Sequence, residues 1–167
     1  QSILENDSYV DALLDVADCI YTVNLTKDVL ERNIALQGKE EVNRALFLEY
    51  PLPCSYSDYC NEYIKRVTKE SLGSYQMTDG SERLLKRYAA GEKHMMVEYC
   101  VREDDGNIRW VQKTVLMTQT TVFDVDTHEE MPVITAIILL QDTSHMHKHD
   151  ELERARLQAA FDEMQVA

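Results

Sequence analysis

The sequence predicts an α+β domain in which one five-stranded antiparallel sheet is covered by short helices. Residues 93–121 form a long predicted hairpin, because apolar and polar side chains alternate along both halves. Two short alternating segments precede this hairpin, and an apolar segment of strand length follows it. Segments with helical periodicity lie between the two groups of strands and at both ends of the chain. Because a lone hairpin is barely stable in water, the other elements must cover it.

The chain begins with a predicted flanking helix, residues 1–17. Its apolar stripe, with spacing i, i+3, i+4 and i+7, consists of Val10, Leu13, Leu14 and Ala17. We expect this stripe to be exposed on an isolated monomer. Residues 19–25 and 29–34 alternate as two strands, and residues 26–28 form the turn between them.

Three short helices are predicted in the middle of the chain. The first, residues 40–49, is stopped by Pro51 and Pro53. Ser55 caps the second, whose apolar face is Tyr59, Tyr63, Ile64 and Val67. Residues 68–78 are poorly patterned and predict a loop or a single turn. The third helix has Ser81 at its N-cap, ends at Gly91, and turns Leu84, Leu85 and Tyr88 inward.

The hairpin residues divide between two faces of the sheet. Trp110 is expected on the face opposite the core, together with Gln112 and Thr114. Residues 123–130 predict a polar, acidic loop, and residues 133–141 a strand in the middle of the sheet. The pattern after residue 144 is helical, with a short apolar stripe of Leu157, Phe161 and Met164.

Composition and charge exclude several classes of function. The 17 basic and 30 acidic residues give a net charge of −13, which argues against a nucleic acid or an anionic membrane surface as partner. No apolar run reaches the length of a membrane span, and no signal-peptide pattern opens the sequence. The four cysteines form no CxxC pair and no metal-ligand spacing, which favours a reduced, cytoplasmic setting. We therefore interpret the chain as a cytoplasmic part of a longer protein.

No group of residues in the sequence has a spacing typical of catalysis or metal binding. There is no glycine-rich phosphate loop, nucleophile elbow or pair of carboxylates, so we expect a non-catalytic domain. His145, His147 and His149 could suggest a metal site, but no other ligands accompany them, and a solvated helix start is expected. Residues 124–130 are acidic but lack the glycine and the spaced glutamate of a calcium loop, so a plain loop is expected.

Three stretches of the sequence resemble the PAS family of sensory domains. Residues 21–25, Tyr-Thr-Val-Asn-Leu, are similar to the first strand of that family. Residues 98–111 resemble the "E-Y-R, then D-G, then R-W-V" hairpin of one large PAS subfamily. Residues 141–144, Gln-Asp-Thr-Ser, resemble the Asp-Ile-Thr exit from the sheet into a signalling helix.

The resemblance implies a bacterial sensor or dimerisation module with three parts. These are a flanking helix (1–17), a sensor domain (18–144) and a signalling helix (145–167) that leads to a diguanylate cyclase or a histidine kinase. Asp142, Thr143 and Ser144 would relay the signal. No flavin or haem cofactor is expected, because neither Cys54 nor Cys60 lies in the flavin motif and residues 40–90 contain no histidine.

The inward face of the sheet is either a filled core or a small ligand pocket in which Lys113 and Tyr88 supply polar groups. The candidate pocket residues are Tyr21, Val23, Tyr88, Val97, Tyr99, Val111, Lys113, Val115, Ala136 and Ile138. The apolar stripes of the flanking helices predict a homodimer with micromolar affinity. The alternative to a sensor is a small cone-shaped α+β enzyme or ligand-binding protein, although that fold normally ends on a strand.

Overall fold

The computed structural model describes residues 7–166, which form one antiparallel sheet with helices on both faces. The strands are β1 (Cys19–Asn24), β2 (Val29–Ile34), β3 (Cys54–Ser55), β4 (His94–Arg102), β5 (Ile108–Asp124) and β6 (Glu129–Asp142). Their order across the sheet is β3-β2-β1-β6-β5-β4. The helices are α1 (Asp7–Val16), α2 (Glu40–Leu46), α3 (Tyr56–Tyr63), α4 (Leu72–Gln76), α5 (Ser81–Ala89) and α6 (Ser144–Val166).

The sheet has six strands rather than the predicted five. The additional strand, β3, has two residues and pairs with β2 through Leu30–Cys54 and Val29–Ser55. Period-2 alternation cannot show in so short a segment, so the sequence pattern did not indicate it. The Ser55 hydroxyl accepts a hydrogen bond from the Asp58 amide at 3.2 Å, which confirms the predicted cap of α3. Strand β6 lies between β1 and β5, as its apolar faces predicted.

Helix α4 lies in the segment for which the sequence predicted only a loop or a turn. Tyr75 is almost fully buried in the core, and the Ser74 hydroxyl donates a hydrogen bond to the Glu98 carbonyl of β4 at 2.6 Å. The Ser71 hydroxyl accepts from the Cys100 amide at 2.9 Å. Contacts with β4 therefore stabilise a helix that five residues would not form alone.

Helix α5 begins at Ser81, one residue earlier than predicted, because the cap is Gly80 rather than Ser81. Gly80, with a φ of 84°, occupies the N-cap, and the Ser81 hydroxyl instead donates to the Asp28 carboxylate at 2.5 Å. The predicted stop at Gly91 is confirmed. Gly91 has a φ of 96°, and the Glu92 amide donates to the Arg87 carbonyl, which is the hydrogen bond of a Schellman motif.

Two apolar cores lie on the two faces of the sheet. The large core lies between the sheet and α2–α5. A small core on the opposite face contains Ala17, Ile20, Leu116 and Leu139, and Leu13 of α1 packs against it. The expectation that the α1 stripe is exposed was therefore wrong for Leu13 and Ala17, because these side chains cover the outer face of their own sheet. Leu14 is exposed, and the side chain of Val10 lies outside the described residues.

Helix α6 begins at Ser144, one residue before the start that the sequence predicted. Beyond its first turn it lies away from the sheet, and its stripe is exposed as predicted: Leu157 is 70%, Phe161 55% and Met164 77% exposed. Among residues 7–166, no helix combines the length and the apolar character that crossing a membrane requires.

Half of the segment predicted as an acidic loop, residues 123–130, is strand. Strands β5 and β6 remain paired as far as Asp124 and Glu129, and only residues 125–128 turn. The Asp124 carboxylate accepts from the Asp126 amide at 2.9 Å and so closes the turn, while His128 has a φ of 58°. The acidic residues hid the strand pattern because both faces of this part of the hairpin are in solvent.

Candidate functional site

Lys113 is a buried cation in the large core. It lies on β5 with 1% of its surface exposed, and its ammonium donates to the Thr78 carbonyl at 3.0 Å. The same nitrogen lies 5.4 Å from the centre of the Tyr75 ring. Burial lowers the pKa of Lys113, while the neighbouring Cys60 and Asp79 act in the opposite direction. The core thus contains a charge with few partners.

Six tyrosines surround this region of the core. Three of them, at positions 56, 59 and 63, follow one face of α3 at spacings of three and four. The hydroxyls of Tyr63 and Tyr99 are 3.1 Å apart, and the Tyr59 hydroxyl accepts from the Leu48 amide at 2.9 Å. Burial is the main reason that their pKa values lie above the usual range, so all are neutral at ordinary pH. The six are Tyr21, Tyr56, Tyr59, Tyr63, Tyr75 and Tyr99.

A polar cleft reaches two of the groups that act on the charge of Lys113, although Lys113 does not line it. It has a volume of about 340 Å³, lies between α3 and the start of α5, and has Cys60 and Asp79 in its lining. Burial raises the pKa of the Cys60 thiol to about 12, although the charge of Lys113 opposes this shift. Within the described residues, three buried oxygens near this region lack a hydrogen-bond partner: the Tyr56 hydroxyl, the Thr78 hydroxyl and one Asp79 carboxylate oxygen. Such atoms are rare in folded proteins and suit a bound polar molecule or water.

The residues of the predicted pocket come together but fill the space themselves. All of them except Tyr88 are buried on the helix-covered face of the sheet, and none of them lines the cleft. Tyr88 is half-buried, packs at the margin of the core and has the Lys93 ammonium 5.8 Å from its ring centre. Ligand binding by these residues stays a prediction. The buried members are Tyr21, Val23, Val97, Tyr99, Val111, Lys113, Val115, Ala136 and Ile138.

Asp142, Thr143 and Ser144 form the junction between β6 and α6. The Asp142 carboxylate accepts from the Ser144 amide at 2.9 Å and from the Arg109 guanidinium at 2.6 Å. Arg109 also binds Glu103 at 2.6 Å, and this hydrogen bond is the main reason that the pKa of Arg109 is raised. Burial tends to raise the pKa of Asp142, but the hydrogen bonds from Ser144 and Arg109 outweigh it and leave that pKa lowered.

The first turn of α6 is held on the outer face of β4 and β5. The Thr143 amide donates to the Trp110 carbonyl and the Ser144 hydroxyl accepts from the Trp110 amide, both at 2.9 Å. The Thr143 hydroxyl donates to Glu98 at 3.0 Å. His147 lies 2.9 Å from the other Glu98 oxygen, and its ring stacks on Trp110 with centroids 3.8 Å apart. The junction therefore connects α6 with both strands of the central hairpin.

The structure confirms that Trp110 lies on the outer face, and it corrects the expectation for one histidine. His145 and His149 are exposed, as expected for a solvated helix start, but His147 is half-buried against Trp110. Sequence reasoning also missed Glu98 as part of the junction. Alternation along β4 predicts that Glu98 shares the outer face with Trp110, which the structure confirms, but nothing indicated that α6 would cover it.

The comparisons with known proteins concern the fold. No protein-family model and no curated protein matches this chain. A similar solved structure is described as a sensory box histidine kinase/response regulator from Burkholderia thailandensis E264. It is 11% identical, with a TM-score of 0.50, over 92% of this chain and 98% of that chain. At this identity the likeness establishes the fold alone. The chain therefore has a PAS-like fold, while the subfamily suggested by the hairpin motif stays a prediction.

Proposed function

We propose that this chain is a non-catalytic, cytoplasmic sensor module of a bacterial signal-transduction protein. Its α6 would lead to an output domain, either a histidine kinase or a diguanylate cyclase. The PAS-like fold supports this function, as does the name of the similar structure, a sensory box histidine kinase/response regulator. The observation that carries the proposal is the junction, because it joins α6 to the two strands whose inward faces form the core around Lys113.

The relay follows from the alternation of side chains along β4 and β5. Val97 and Tyr99 face the core, while Glu98 between them holds Thr143 and His147. Displacement of an inward side chain moves the backbone of the same strand, and therefore the outward side chain that contacts α6. A ligand that binds one arrangement of these strands more tightly shifts the population toward that arrangement. The shift changes the position of the first turn of α6.

The cleft beside Cys60 and Asp79 is the proposed entrance for a small polar ligand. Such a ligand would supply a donor for the unpartnered oxygen of Asp79, which lines the cleft. Because Asp79 and Cys60 act on the charge of the buried Lys113, a ligand bound to them would change the surroundings of that cation. A homodimer through the exposed stripe of α6 would place two output domains side by side.

The function is tested by native mass spectrometry of the freshly purified protein, followed by comparison of the loaded and the stripped forms. We expect a retained small molecule, which Lys113→Met loses and the exposed variant Lys65→Met, outside the cleft, retains. Trp110 is the sole tryptophan, so its emission reports on the junction. We expect emission and hydrogen exchange in the first turn of α6 to differ between loaded and stripped protein. Identical values in both forms would exclude the relay.

A further inference from the structure

Strands β5 and β6 continue beyond the rest of the sheet as a two-stranded arm, residues 119–133. The pairing of β4 with β5 ends at His94–Leu116, and the Met117 amide still donates to the Lys93 carbonyl at 2.8 Å. On the other side, the pairing of β1 with β6 ends at Asn24–Thr135. The Leu25 amide still donates to the Ile134 carbonyl at 2.8 Å, and beyond that residue β5 and β6 pair only with each other, as far as the turn. An isolated pair of strands is marginally stable in water.

The arm exposes large apolar side chains near its tip. Phe123 is 60% exposed, Val125 73% and Met131 37%. Burial of these side chains would offset the weakness of an unsupported hairpin.

The β6 edge of the arm is protected against strand addition. The Ile134 amide points away from β5, because it donates to the Thr26 hydroxyl at 2.8 Å. Main-chain groups alternate in direction along a strand, so position 132 points outward as well. This position is Pro132, which has no N–H to donate. Proline at a free edge is one of the features that prevents pairing with another chain.

The β5 edge of the arm has no such protection. Because the Met117 amide points toward β4, the main-chain groups of Gln119, Thr121 and Phe123 point to that side as well. Among residues 7–166, no strand pairs with them. Residues 119–123, Gln-Thr-Thr-Val-Phe, include no charge, proline or glycine, although 28% of the chain is charged. An uncharged edge of high β-propensity is suited to pairing.

We propose that this edge binds the same edge of a second copy of the chain, in an antiparallel pair with a two-fold axis at Thr121. Antiparallel pairing about an axis is self-complementary: Thr121 opposes its counterpart, and Gln119 opposes Phe123 of the second copy. Asp124 then lies opposite Thr118, so no like charges meet in the pair. In this register the outward main-chain groups of the two chains form three hydrogen-bonded residue pairs: Thr121 with Thr121 at the axis, and Gln119 with Phe123 on either side of it. The contact lies beyond the body of the domain, where the repulsion between two chains of charge −13 is weaker.

This dimer differs from the proposed α6 dimer, so the two are tested separately. The experiment uses the 167-residue chain with Leu157→Asp and Phe161→Asp, which remove the α6 stripe. In sedimentation at micromolar to millimolar concentration, this variant is expected to remain a reversible dimer. Adding Thr121→Pro removes the outward amide at the axis, and adding Thr121→Lys places two like charges opposite each other. Either change should weaken self-association about tenfold or more.

The matched control is Thr127→Lys, which adds the same charge at the turn of the arm and should leave the dimer intact. Amide exchange gives a second measurement: Gln119, Thr121 and Phe123 should become protected as concentration rises, while the circular dichroism of the variants stays that of the parent. The arm dimer is overturned if the chain with Leu157→Asp and Phe161→Asp is a monomer at every concentration. It is also overturned if the dimer persists after Thr121→Pro is added. Neither result bears on sensing or on the relay through α6.

Discussion

At the scale of single residues, Lys113 is the least expected side chain in the core. It occupies an inward position of β5 at which an apolar residue would continue the pattern of Val111 and Val115. A buried ammonium has lost its hydration, and a carbonyl hydrogen bond with a nearby aromatic ring replaces only part of it. A residue that reduces stability in this way is typical of a functional position.

Replacing Lys113 by Met is expected to stabilise the domain by about 1 to 3 kcal/mol, because an apolar side chain of similar length removes the desolvation cost. Urea unfolding at pH 7 measures the change. The control, Lys86→Met, removes an exposed cation and should change stability by less than about 0.5 kcal/mol. A clear loss of stability in Lys113→Met would mean that the contacts with Thr78 and Tyr75 outweigh the cost of burial.

At the scale of elements, the junction shows how a short polar segment can position a long helix. Asp142 ends β6, caps the start of α6 and binds Arg109 of β5, so three elements depend on one carboxylate. Because these contacts favour the charged form, the pKa of Asp142 is lower in the folded than in the unfolded chain. The stabilisation is therefore present at neutral pH and is lost as the pH falls below about 4, through the folded-state pKa.

The variant Asp142→Asn should be less stable than the parent by about 1 kcal/mol at pH 7, since Arg109 is partly exposed and the ion pair is partly screened. The difference should shrink as the pH falls below about 4, because protonation of Asp142 removes the charge that these contacts favour. Urea unfolding at several pH values measures it, with Asp126→Asn in the exposed turn of the arm as control. A difference that stays constant down to pH 3 would show that the charge of Asp142 is not its cause.

At the scale of the whole molecule, the two terminal helices have different roles, although the sequence suggested the same role for both. Leu13 of α1 packs on the outer face of the sheet near Leu116 and Leu139, so α1 completes the domain. Helix α6 is attached at its first turn and leaves its stripe in solvent. Of the two terminal helices, only α6 therefore has an exposed stripe that can form the proposed dimer contact.

The variants Leu157→Asp and Phe161→Asp are expected to abolish association through α6, with a dissociation constant in the micromolar range for the parent because the stripe is short. Cysteine cross-linking at Met164 of α6 measures this contact separately from the arm. Ala159→Asp, on the opposite side of the helix, serves as the control and should leave the cross-link unchanged. Equal cross-linking in the parent and in the stripe variants would argue against an α6 dimer.

Periodic segments by themselves determined most of the fold. Alternation predicted β1, β2, the central hairpin and the outer position of Trp110, and the apolar faces of residues 133–141 predicted a strand in the middle of the sheet. The capping signals at Ser55 and Gly91 were also correct. These features depend on neighbours within a few residues along the chain, so the sequence records them directly.

Only the tertiary structure decided where distant residues meet. Helix α4 forms because Tyr75 and Ser74 contact the core and β4, and His147 leaves solvent because α6 begins beside Trp110. The arm was hidden because Val133 is its one buried side chain, so the arm lacks the apolar alternation that identifies a strand. Such contacts join residues far apart in the chain, and no local pattern records them.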